Sequence, residues 1–191
     1  MGDRNASAKP AGDARALARA VAAAFDRRSY GQGSETTALV VVQNGHIVAE
    51  RYRDDFDMHM SQRTWSVAKS IAGTLVGAAQ QQGKLDAMAP APVPEWQGPG
   101  DPRAAITTDT LLRMASGLHS DHAGNRTDAL YFGGTVVTEQ ATGWPLEAAP
   151  DTRFRYANND ILLAARGLQS ALGEDRLSFP FTGLLWKIGM T

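Results

Sequence analysis

Two β-branched apolar runs, residues 36–42 and 47–52, lie on either side of Asn44-Gly45. A two-residue turn between antiparallel strands needs positive φ at both positions. Asn and Gly tolerate that best, so this pair between such runs specifies a β-hairpin. A hairpin alone is marginal in water, because its apolar face needs further strands or a covering helix. That need constrains the chain strongly, since nothing after Asn159 reads as a strand series.

Helices supply the rest. From Asp13, the fourfold recurrence Leu17, Val21, Phe25 predicts an amphipathic helix ending near Arg28, behind a polar tail, residues 1–12, expected to be disordered. A charged connection, 53–63, leads to the most apolar helix, 65–82, which Gly83 stops. Pro90, Pro92, Pro94, Pro99 and Pro102 exclude regular structure and predict a long surface connection over 88–102. Thr107-Thr108-Asp109 caps a short helix carrying Leu111, Leu112 and Met114 that ends at Ser116-Gly117. Residues 118–150 read as loop, 159–172 as a final amphipathic helix closed by Gly173, and 179–191 as a turn or short helix. The expected class is α/β of the α+β kind, with one partial domain over 13–191.

Composition narrows the function. With 19 cationic and 20 anionic side chains interspersed, the chain lacks the basic stripe a nucleic-acid surface needs. No cysteine is present, which excludes disulfides and thiolate metal sites. The opening alanine run is broken by arginine and aspartate and forms no secretory h-region. The longest low-polarity stretch, 71–79, is far short of the roughly 20 residues a membrane span requires. The expectation is a cytoplasmic protein with neither a nucleic-acid nor a membrane partner.

Ser66-Val67-Ala68-Lys69 opens the most apolar helix. Residues three apart on a helix share a face, so the lysine amine reaches the serine hydroxyl, as a Ser/Lys acyl-transfer nucleophile requires. Lys69 would serve as base only when neutral, and Trp65, Val67, Ala68 and Ile71 are expected to supply apolar surroundings. The helix N-terminus offers Ser66 N–H to a developing oxyanion. The same residues also read as a helix cap and a solvated charge. Tyr156-Ala157-Asn158, just before the last helix, shifts that balance: a tyrosine beside the pair can shuttle a proton, and an asparagine two residues on can orient the lysine and bind a carbonyl.

With these motifs in view, the chain resembles the serine β-lactamase and penicillin-binding-protein superfamily in its class C-like branch, which includes family VIII esterases and 6-aminohexanoate-dimer hydrolases. TWSVAKSIAGTLVGAAQQQGKLD resembles the family's nucleophile helix, ITTDTLLRMASGL its "IT..HLL.M.SGL" segment and PDTRFRYANND its "PGT.F.YSN.." segment. LLWKIGMT is similar to its stretch ending in "LGM". The resemblance spans residues 37–191 and implies a β-lactamase/transpeptidase-like fold. It further implies Ser66 as nucleophile, Lys69 as base partner, Tyr156 as proton shuttle and Asn158 as substrate-positioning group, acting on a small-molecule ester or amide without metal or organic cofactor.

Two departures accompany the resemblance. Asp151 stands where the family has glycine, and the third motif, a Lys-Thr-Gly or His-x-Gly on a later strand, is absent. Lys187-Ile188-Gly189 matches its letters by coincidence. The chain is therefore expected to be the N-terminal portion of a larger hydrolase, its C-terminal strands missing. The alternative is a truncated, non-catalytic remnant that only binds a ligand or partner. Among other candidates, His119-Ser120-Asp121-His122 fits an exposed loop better than a metal site. His46 and His59 have no triad partner, and Trp144 and Tyr131 are candidates for lining a cleft.

Overall fold

The computed structural model describes residues 8–119, 134, 136 and 140–190. They fall into two compact units, one up to Arg63 and one from Thr64 onward.

In the first unit, α1 spans Ala14–Ala24, capped by Asp13, whose carboxylate accepts from Arg15 N–H at 2.8 Å. The helix stops short of Arg28 because Phe25 leaves helical geometry and Arg27 takes φ 60°. β1 (Ala38–Gln43) and β2 (His46–Tyr52) pair antiparallel, Ala38 opposite Tyr52 and Gln43 opposite His46. Asn44 and Gly45 adopt φ 51° and 77°, as the turn demands. A bulge between Val41 and Val42 absorbs a register shift. Leu39 and Val41 are half-buried, whereas Val40 and Val42 on the other face are exposed. Of the expected tail, residues 1–7 lie outside the described residues. Farther along, Ala8 N–H donates to Ile47 C=O, and Ala11 exchanges two hydrogen bonds with the Gln43 side chain.

The second unit is helical. It contains α2 (Val67–Gln81), α3 (Thr108–Leu112) and α4 (Asn158–Leu172), with short 3-10 turns between and after them and a π-helical turn at Pro180–Leu184. Gly83 (φ 67°) and Gly173 (φ 55°) end α2 and α4 where predicted. Thr107 caps α3 by accepting from Thr110 N–H at 3.0 Å. α4 serves both hydrophobic clusters of the unit. Its Leu163 and Ala164 pack with Val93, Trp96, Ile106 and Leu111, and its Leu168 and Leu172 with Val76, Ala79 and Phe179.

The proline segment is a surface connection only in part, exposed throughout residues 97–100 but buried at several positions before them. Ala91, Val93 and Trp96 are fully buried, and the Trp96 indole N–H donates to Thr142 C=O at 3.0 Å. Residues 85, 87, 89, 91 and 93 are buried or half-buried and 86, 88 and 90 are exposed, the period of an extended strand. Proline has no N–H to satisfy, so such a segment can enter a core with few ladder bonds. Ala91 N–H donating to Ile106 C=O at 2.8 Å is one of them. α3 is also shorter than predicted: Met114 (φ 54°) and Gly117 (φ 74°) turn the chain away after Leu112.

Candidate active site

Ser66, Lys69 and Tyr156 all belong to the second unit, and their polar atoms meet. The turn into α2 is tight, with Val67 N–H donating to Thr64 C=O and Lys69 N–H to Ser66 C=O, each at 3.0 Å. Ser66 has helical φ and ψ and makes no side-chain cap bond. Its Oγ instead accepts from Lys69 Nζ at 2.9 Å and lies 2.8 Å from the Tyr156 hydroxyl. Trp65, just before it, is held at φ 44°, a left-handed conformation that is rare for a bulky residue and tends to be found at functional sites.

Tyr156 stands at the approach to α4, and Lys69 Nζ sits 5.1 Å from its ring centroid. The Ser66 hydrogen bond, and next the Lys69 ammonium, hold its phenol below the ordinary value. Asn158, half-buried, is the first residue of α4, two positions beyond Tyr156. The apolar enclosure expected around Lys69 is not found among the described residues. Trp65 is 71% exposed, Val67 is likewise exposed, and Lys69 itself is only partly covered.

The loop before Tyr156 is fastened to the segment after α3. Asp151 N–H donates to Ala115 C=O at 2.8 Å and Arg155 N–H to Met114 C=O at 3.0 Å. Asp151 adopts φ 67°, so the conformation a glycine would take is present here in an aspartate whose carboxylate pairs with Arg113 at 2.5 Å. Arg113 also binds Asp109, and the two carboxylates push its guanidinium further up. Sequence reasoning passed over Ser116 and Asp160, which form a buried hydrogen-bonded pair beside this loop. Their signal was an aspartate on the apolar face of a predicted helix.

The remaining candidates lie elsewhere. His119 Nδ1 bonds Glu147, lowering that carboxyl, and its ring stacks 5.0 Å from Trp144. Ser120, Asp121, His122 and Tyr131 lie outside the described residues, among which no group of three His, Asp or Glu could hold a metal ion. His46 opens β2, and Lys187 sits in a 3-10 turn, Leu185–Ile188, rather than on a strand. An open depression lined by Pro99, Asp101, Arg103 and Leu146 includes none of the three meeting residues. No helix among the described residues is long and apolar enough to cross a membrane.

Over residues 16–179 the sequence matches the beta-lactamase family. Among solved structures, a Bacillus anthracis protein described as a 6-aminohexanoate-dimer hydrolase has a TM-score of 0.59 at 21% identity, over 74% of this chain and 41% of that one. The likeness is one of fold, and the matched region spans less than half of that protein's length.

Proposed function

This chain belongs to the beta-lactamase family, and on that premise we propose that it is a serine hydrolase cleaving a small-molecule amide or ester through an acyl-enzyme on Ser66. One observation carries the reading. The Ser66 hydroxyl is not spent on capping α2 but is shared between the Lys69 amine and the Tyr156 phenol.

Lys69 as base would require a neutral amine, which burial favours. Lys69 is instead only partly covered, and its Nζ donates to Ser66 Oγ. The serine hydrogen then points at Tyr156, which accepts a proton in its phenolate form, the form that the Ser66 hydrogen bond and Lys69 favour. Attack forms the bond from Oγ to the carbonyl carbon as the serine proton passes to Tyr156. The oxyanion develops near Ser66 N–H at the positive end of α2. Collapse breaks the bond to the amine or alcohol, which leaves with the proton from Tyr156. Water then attacks the ester carbonyl as one of its protons passes to Tyr156, and collapse breaks the bond to Oγ, which takes that proton back as the acid leaves. Asn158 is placed to position the substrate carbonyl.

Ser66→Ala should abolish hydrolysis of an activated ester and labelling by a fluorophosphonate probe; labelling that survives the substitution overturns the assignment. The exposure of Trp65 and Val67 favours a second reading, ligand binding without turnover. That reading predicts a wild-type chain that binds a ligand and is never labelled.

A further inference from the structure

We infer that Ser116 and Asp160 form a buried positioning pair that holds the Tyr156 phenol on Ser66. Its effect on turnover rests on the hydrolase reading above, whereas its effect on Tyr156 does not.

Tyr156 is bracketed by contacts to one short strap, residues 114–118. One residue before it, Arg155 N–H donates to Met114 C=O at 3.0 Å. Four residues after it, in the first turn of α4, Asp160 Oδ1 accepts from Ser116 Oγ at 2.9 Å, and Oδ2 from Ser116 N–H at 3.4 Å. Leu118 N–H donates into Ser116 Oγ at 3.2 Å, which leaves the hydroxyl hydrogen directed at Asp160. The strap itself is bent by positive φ at Met114 and Gly117, so its grip depends on this closure.

Ser116 and Asp160 are each 3% exposed, and no cation pairs with the carboxylate among the described residues. Just past α3, Arg113 binds both Asp109 and Asp151. On α2, Lys69 is engaged with Ser66, and on α4 itself Arg166 pairs with Glu95. A buried carboxylate held by neutral donors alone is costly. Both of its oxygens act as acceptors, so the pair is tightest when Asp160 is ionised. Burial raises that carboxyl to about 6, which puts loosening of the pair within reach of mild acid.

The test follows the Tyr156 phenol by NMR in chain carrying ring-labelled tyrosine, its resonance assigned with Tyr156→Phe. In the wild type the phenol should titrate below about 10. Ser116→Ala and Asp160→Asn should raise it toward that value, and Ser116→Thr, which keeps the hydroxyl, should restore it. On an activated ester, kcat should fall about ten- to a hundredfold in the first two variants with KM unchanged. The activity step near pH 6 should disappear in Asp160→Asn. A folded Ser116→Ala chain, checked by circular dichroism, whose Tyr156 titrates as in the wild type overturns the inference. Near-isosteric Asp160→Asn answers the same question where Ser116→Ala does not fold. If the wild type is never labelled at Ser66 while Tyr156 still responds to Ser116, the hydrolase reading fails and the positioning role stands.

Discussion

The hydroxyl of a serine at a helix start can accept from its own helix's N–H groups or be offered outward. Ser66 takes the second course because its helical φ and ψ turn Oγ away from the free N–H groups and toward Tyr156. Tyr156→Phe keeps the ring beside Lys69 and removes only the hydroxyl that meets Ser66 Oγ. The expected loss is about 10²–10⁴ in kcat with the fold intact, measured by ester turnover and circular dichroism. Asp160 shows the opposite balance between stability and function. Its folded value of about 6 lies above the ordinary 3.8, so its contribution to stability is full below pH 3.8 and is lost as pH rises through about 6. The difference corresponds to ~3 kcal/mol at most. Urea midpoints measured from pH 4 to 7 should therefore fall in the wild type relative to Asp160→Asn. A carboxylate kept at such a cost fits a positioning role better than a stabilising one.

Among elements, the strap between α3 and the Tyr156 loop is the most demanding. Gly117 has φ 74°, and a Cβ there would lie 2.2 Å from Ala148 O, a backbone atom that cannot move alone. Its carbonyl also accepts from Glu147 and Ala148 N–H. Gly117→Ala should cost about 2 kcal/mol or more in chemical denaturation and reduce turnover by displacing Ser116. Asp151 presents a milder case. Replacing it with glycine relieves left-handed strain of about 1 kcal/mol, while the Arg113 pair it forfeits is exposed and contributes little. Asp151→Gly should leave the denaturation midpoint nearly unchanged.

For the whole molecule, α4 is the member on which the second unit depends, because its two ends enter different hydrophobic clusters. Leu163→Ala, at a fully buried position, should cost ~2–5 kcal/mol in urea unfolding. The hairpin, α2, the cap at Thr107 and the glycine stops at Gly83 and Gly173 were legible in the sequence, since each follows from φ preferences and from periodicity within a few residues. The pairing of Ser66 with Lys69 was legible for the same reason: three residues on one helix bring them together. The burial of Ala91, Val93 and Trp96 was written in the alternation of prolines with small apolar residues, but proline's veto on ladders hid it. What the sequence determined by itself is the set of local conformations and the chemistry placed on them. Only the tertiary structure decided that Tyr156, 90 residues away, reaches Ser66, that Trp65 and Val67 leave Lys69 partly open, and that Ser116 closes on Asp160. Contacts between distant segments depend on how α2, α4 and the strap pack, and no local preference encodes that packing.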